Sequence, residues 1–205
     1  MNEARAIGDA ARHRLGFLSL ADTLALARRG ILMPDPDTVL ISADVQVGDG
    51  AVLWPGLILQ ASVGGSIAVG HGTNLFPGTR IVASGGTVTI GAEAEIGEEG
   101  GFTVKAGAGD RIAIGDGARL LGGGSLALSN RIGRGAQILG PIRCRNCTLG
   151  DGGTHRHPEP DERGGVLKGS GVAQGIAVPQ GHVIQAFGLF AEADIRRQSY
   201  FHPKA

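Results

Sequence analysis

Residues 41–60 read ISADVQVGDGAVLWPGLILQ. Stepping by six from Ile41 lands on Val47, Leu53 and Leu59, all aliphatic. The same track runs through Val69, Leu75 and Ile81, then Ile90, Ile96 and Phe102. Ile114, Leu120, Leu126, Ile132, Ile138 and Cys144 extend it, and Leu149 arrives one residue early. Glycine often comes next, as in Val47-Gly48, Val69-Gly70, Ile90-Gly91, Ile114-Gly115, Ile132-Gly133 and Leu149-Gly150. Four places on, the side chain is usually small or β-branched: Val45, Ala51, Val63, Thr73, Thr79, Ala94, Ala118, Ala136 and Thr148. A repeat this long sets the architecture before any local feature does.

Six residues do not match a helical period and are too few for a hairpin. They fit one short strand and one bend. An offset of four is even, so the aliphatic residue and its small partner point to the same side of an extended segment. Glycine after the aliphatic residue suits a bend with positive φ. Three units close a triangular coil, and coils stack at ~4.8 Å so that each pairs its backbone with the next. The period breaks at three places, from Leu59 to Val69, Ile81 to Ile90 and Phe102 to Ile114. At three units per coil these insertions fall on one corner of consecutive coils, as a solenoid requires. The expected fold is therefore an all-β parallel β-helix, a triangular prism filled by aliphatic side chains.

These residues resemble the hexapeptide-repeat family of left-handed β-helix transferases. The resemblance covers roughly residues 39–187 and supplies the left hand, which general handedness rules would not favour. The stretch 24–60 is most similar to the acetyltransferase half of the bifunctional bacterial enzymes that make UDP-N-acetylglucosamine. There a helical arm, here Leu24 to Leu32, leads through an Asp-Pro element, Asp35-Pro36, into the first coils, Val45 to Val52. The resemblance implies an acyl-CoA-dependent acyltransferase, with acetyl-CoA or another acyl-CoA as co-substrate and a sugar or sugar nucleotide as acceptor. It also implies a homotrimer with sites between subunits, and a His as general base.

With 205 residues, one domain with appendages is expected: a helical arm at 1–33, the β-helix at 34–187 with a loop inserted at 154–165, and a tail at 188–205. Nineteen basic and nineteen acidic residues leave no net charge, which argues against a nucleic-acid binder. No apolar run is long enough to span a bilayer, and Met1 to Arg5 lacks a signal-peptide core, so a cytoplasmic protein is expected. Residues 2–29 read as helical and cover the open first coil, with Ser19-Leu20-Ala21-Asp22 as a capping box and Gly30 past the end. Leu20, Leu24 and Ala27 form the apolar stripe of that helix.

The strongest irregularity is 154–165, Thr-His-Arg-His-Pro-Glu-Pro-Asp-Glu-Arg-Gly-Gly. His155 stands where an aliphatic residue is due, and two prolines forbid a regular ladder. The period resumes at Val166, Val172, Val178 and Ile184. A loop fixed on a rigid scaffold is where chemistry sits, so His155 and His157 are the candidate bases. Lys168, just after the loop, and Arg143 and Arg145, in a stretch without acids from Ala118 to Gly150, are candidates for the cofactor's phosphates. Glu93, Glu95, Glu98 and Glu99 crowd an earlier zone. Cys144 and Cys147 have the CxxC spacing, but Cys144 lies on the core track, and no metal is expected. His71 and His182 sit in bends. In the tail, Phe190, Tyr200 and Phe201 with Arg196, Arg197 and Lys204 would cap the last coil or pack on a neighbouring subunit.

Two other readings remain open. One is a β-helix scaffold or regulatory partner without chemistry, because the family's Asn-Tyr-Asp-Gly loop is not matched at 154–165. The other is a metal-dependent hydratase resembling the γ-class carbonic anhydrases, with ligands from His71, His155 and His157.

Overall fold

The computed structural model describes residues 3–202. Between Leu40 and Leu189 the chain winds as a parallel β-helix with three walls. The rungs of each wall are read from the strand register. On the first, Ile41, Leu59, Ile81, Val104, Leu126, Cys144 and Ala173 stack one above another. On the second the series is Val47, Val69, Ile90, Ile114, Ile132, Leu149 and Val178. On the third it is Leu53, Leu75, Ile96, Leu120, Ile138, Leu167 and Ile184. All of these side chains are buried in one continuous core. The six-residue period works because each rung needs one inward aliphatic group per wall, and stacking coils bury it from above and below.

The three insertions lie between the first and second walls at residues 62–66, 84–87 and 106–111, on one edge, as the spacing predicts. Two details of the repeat differ from the sequence reading. Val104 rather than Phe102 occupies the inward rung, because the corner between Ile96 and Val104 holds two extra residues, starting where Glu98 instead of Gly97 pairs with Leu121. Likewise Leu167, not Val166, carries the core track after the loop, and Val172 yields its place to Ala173. Leu167 to Ala173 is a regular step of six along strand Val166–Gln174, so the shift by one enters before it, in the loop at 154–165. Of the small residues four places on, Val63 lies on an insertion and is fully exposed, and Thr148 points outward.

The glycine that follows the aliphatic residue is needed for a different reason from the one expected. Gly48, Gly70, Gly91, Gly115 and Gly133 do not have positive φ. A Cβ on Gly48 would lie 2.5 Å from the backbone N of His71, and on Gly70 2.4 Å from the carbonyl of Gly91. The corners stack too closely for a side chain. Positive φ falls two residues later, at Gly50, Gly72, Gly117 and Gly135.

The N-terminal helices are Glu3–Arg14 and Leu20–Ala25, followed by a 3-10 turn at Leu26–Arg29. The Ser19 hydroxyl accepts from Asp22 N at 3.1 Å, and Gly30 closes the end in the left-handed conformation, both as predicted. The helical stretch is broken at residues 15–19, where Phe17 bridges to Ser42 at the edge of the first wall. Leu20 and Leu26 face the core, whereas Leu24 and Ala27 are exposed, which corrects the expected stripe. Residue 2 of the predicted helix lies outside the described residues. At the other end Phe190 is buried over the last coil, and Ile195–Arg197 returns antiparallel against His182–Ile184. Lys204 lies outside the described residues. No helix among the described residues is long and apolar enough to cross a membrane.

Candidate active site

The loop at 154–165 leaves the second wall after Leu149 and rejoins the third at Val166, so it hangs on the edge between them. Its ends are stitched together by Gly153 N to Glu162 O (2.8 Å) and Gly164 N to Gly153 O (2.9 Å). The Arg163 Nε donates to the His157 carbonyl at 2.9 Å. From this base the loop folds back over earlier coils, and Arg156 reaches Glu95 at 3.8 Å. The tail holds it from the other side. Asp161 accepts from the backbone N (2.8 Å) and Oγ (2.9 Å) of Ser199, and Gln198 Nε2 donates to the Gly164 carbonyl at 2.7 Å.

This scaffold sets His155 over the outer face of the third wall. Beneath it Glu95 and Arg119 are adjacent rungs. Arg119 bridges two carboxylates, Glu95 at 3.0 Å and Glu98 at 2.6 Å, so the acidic and basic zones of the sequence interlock here. His155 is half-buried, and its Nδ1 is buried with no hydrogen-bond partner among the described residues. Burial pushes its pKa below the ordinary imidazole value; the Arg119 guanidinium adds to this and Glu95 opposes it. The ring is therefore neutral at pH 7 and keeps a lone pair to accept a proton.

His155 separates two hollows. On one side is a cleft of about 460 Å³ lined by Asn74, Glu93, Glu95, Thr154 and Arg156 among others. On the other is a cavity of about 220 Å³ between the wall, the loop and the tail, to which Lys168 contributes. His157 lines neither. Its ring packs on Gly153, with Nδ1 3.2 Å from the Glu159 carbonyl and Nε2 3.5 Å from Glu162. Arg143 and Arg145 are exposed on the first wall, away from His155, and no carboxylate pairs with them among the described residues. The structure thus brings Lys168 to His155 but not the two arginines.

His71 is exposed at a corner, and the His182 ring faces its own neighbour, the Gln180 carbonyl, at 2.8 Å. Among the described residues no three His, Cys, Asp or Glu side chains come together as a metal-ligand set. Both cysteines are free and buried. Cys144 points into the core, and its hydrogen bond with Cys147, then burial, pushes its pKa upward.

Sequence comparison meets this geometry. No protein-family model matches the chain. The Bifunctional protein GlmU of Carboxydothermus hydrogenoformans is 32% identical over 114 residues, covering 56% of this chain and 23% of that protein. The one from Trichlorobacter lovleyi is 35% identical over 69 residues, 34% of this chain and 14% of its own length. The chain thus spans less than a quarter of the relatives it matches. Three-walled coils, a six-residue repeat and these identities agree. In its three-walled coils and six-residue repeat the chain is similar to the left-handed β-helix hexapeptide-repeat proteins. Among solved structures, a mutant of perosamine N-acetyltransferase from Caulobacter crescentus, in complex with CoA and GDP-perosamine, overlays with a TM-score of 0.34 at 13% identity. That overlay covers 88% of this chain and 68% of the other.

The residues that the sequence did not group with His155 are those set by stacking, Glu95, Arg119 and Gln137, and, from the tail, Gln198. A further cleft residue, Glu93, did leave a signal. The corners read Gly48-Asp49-Gly50, Gly70-His71-Gly72, Gly115-Asp116-Gly117, Gly133-Arg134-Gly135 and Gly150-Asp151-Gly152. The remaining corner reads Gly91-Ala92-Glu93, and Glu93 lines the cleft.

Proposed function

We propose that the chain is an acyl-CoA-dependent acyltransferase acting on a sugar or sugar nucleotide, with His155 as general base. The observation that carries this reading is a neutral, half-buried imidazole bordering a 460 Å³ cleft in a protein of hexapeptide-repeat kinship. In the reaction the acceptor's amine or hydroxyl attacks the thioester carbonyl. His155 takes the proton that this nucleophile loses, and the coenzyme leaves as thiol. A neutral base near its working pH contributes ~10²–10⁴-fold. His157 has both ring nitrogens beside loop acceptors and is the weaker candidate. Arg143 and Arg145 lie on another wall, so they serve the phosphates of acetyl-CoA in a cleft completed by a neighbouring subunit. A homotrimer of flat-walled prisms supplies that arrangement.

A non-enzymatic scaffold is the second reading. What favours it is the unpartnered Nδ1 of His155, since a base is ordinarily oriented by an acceptor on its far nitrogen. Titration with acetyl-CoA, followed by thiol-release assays on amino sugars and sugar nucleotides, separates the two. Acyl transfer should fall at least a hundredfold in His155→Ala while acetyl-CoA still binds. Full activity in that variant, or no acetyl-CoA binding by the wild type, rejects the acyltransferase reading.

A further inference from the structure

The smaller hollow beside His155 is built from three parts of the chain. The third wall contributes Gln137 and Lys168, the loop Arg163, and the tail Gln198 and His202. No carboxylate of the described residues lines it. Gln137 is only 7% exposed, yet its side-chain amide has no hydrogen-bond partner among the described residues. The part of Gln137 that stays accessible faces this hollow, and an amide there is free to donate to an incoming acceptor. Lys168 forms no ion pair among the described residues, and neither does Arg163, whose Nε is held by the His157 carbonyl. Gln198 is fixed by its bond to Gly164.

We propose that this cavity binds a small oxyanion, a carboxylate or a phosphoryl group, carried by the acceptor substrate. The proposal rests on the acyltransferase reading in one respect, that the acceptor reaches His155. Lys168 and Arg163 supply the positive charge, and the Gln137 amide donates to an oxygen of the anion. The hollow adjoins His155 directly, so an anion held by Lys168 there belongs to the molecule whose nucleophile meets the imidazole. On this proposal Lys168 serves the acceptor and not the coenzyme. The contrast with the cleft across His155 fits this polarity, because Glu93 and Glu95 line that side. An acceptor lying across His155 presents its anion to the cavity and its nucleophile to the cleft.

The test is calorimetric titration of the full chain with inorganic phosphate and, separately, with acetate. One saturable site per chain is expected, with affinity at least tenfold weaker in Lys168→Met and in Gln137→Leu. Preference for phosphate assigns a phosphoryl group, and preference for acetate a carboxylate. Lys168 is exposed, so its variant retains the fold, checked by thermal melting. No saturable binding of either anion, or wild-type affinity in both variants, overturns the proposal. Acetyl-CoA is titrated into the same preparation. Binding of acetyl-CoA without anion binding removes the cavity's role and leaves acyl transfer standing.

Discussion

The walls from Ile41 to Leu149 and the edge that carries His155 are held together in different ways. In the walls every rung repeats the one below, and each inward side chain is buried by two equivalents of itself. The edge has no repeat. It depends on single contacts between distant residues, Asp161 with Ser199, Gln198 with Gly164, Arg163 with His157. Redundancy makes the column tolerant of variation at any one outward position and sensitive at every inward one. Singularity makes the loop sensitive wherever a clasp sits, and free to carry chemistry between clasps.

The largest expected effect breaks the column. Leu120 is fully buried between Ile96 and Ile138. Leu120→Ala should cost ~2–5 kcal/mol, because stacked coils above and below cannot collapse into the void. For a chain of this size that lowers Tm by roughly 5–15 °C, read by thermal melting. Leu24→Ala, on an exposed position of the helical arm, should stay within ~0.5 kcal/mol. Equal effects would mean that the column is not the seat of stability.

The next effect breaks a clasp. In Asp161→Asn one of two acceptor oxygens becomes a donor that faces the Ser199 donors. Tryptic cleavage at Arg196 and Arg197 should become several-fold faster while the global melt stays in place. The backbone N–H of Ser199 holds the Asp161 carboxyl below the ordinary value of 3.8. Its contribution is therefore present above that value and is lost as pH falls through the lower folded-state value. Unchanged cleavage would show that the tail is held elsewhere.

The same division governs what was legible in the sequence. Period six placed the walls, and the three insertions came out on one edge, because a solenoid converts spacing directly into position. The offsets at Val104 and Leu167 were not legible, since extra residues at the preceding corner or in the preceding loop shift the register by two or one without changing composition. His155 announced itself by standing on the core track in place of an aliphatic residue. Its neighbours did not, because Glu95, Arg119 and Gln137 are brought together by stacking across coils, and a linear pattern does not show which polar residues will share an outward column. The tail contacts depend on pairings more than thirty residues apart and carry no periodic signal.

A smaller effect sharpens the comparison at His155 itself. Its folded-state pKa lies below the ordinary 6.5, burial being the main cause. An unfolded chain therefore takes up a proton that the folded one resists. The stability contribution is complete above 6.5 and declines as pH falls below it toward the folded-state value. The acid limb of kcat/KM against pH should accordingly sit below 6.5. A limb at or above 6.5 would place the base elsewhere.

The smallest effect concerns Glu93, where column and edge meet. Corner positions Gly50, Gly72, Gly117 and Gly135 have φ between 60° and 70°, and Glu93 holds the same conformation at φ 54° with a side chain. The left-handed region costs a non-glycine residue ~1–2 kcal/mol, and glycine returns ~0.5–1 kcal/mol of that as chain entropy. Glu93→Gly should therefore raise stability by up to about 1 kcal/mol, a shift of a few degrees in Tm. It should also remove negative charge from the cleft beside His155 and weaken an aminated acceptor relative to a hydroxylated one in the thiol-release assay. A stabilised variant with unaltered acceptor preference would make Glu93 a tolerated irregularity of the column. A stabilised variant with altered preference would show that the repeat gave up a glycine where the cleft requires a carboxylate.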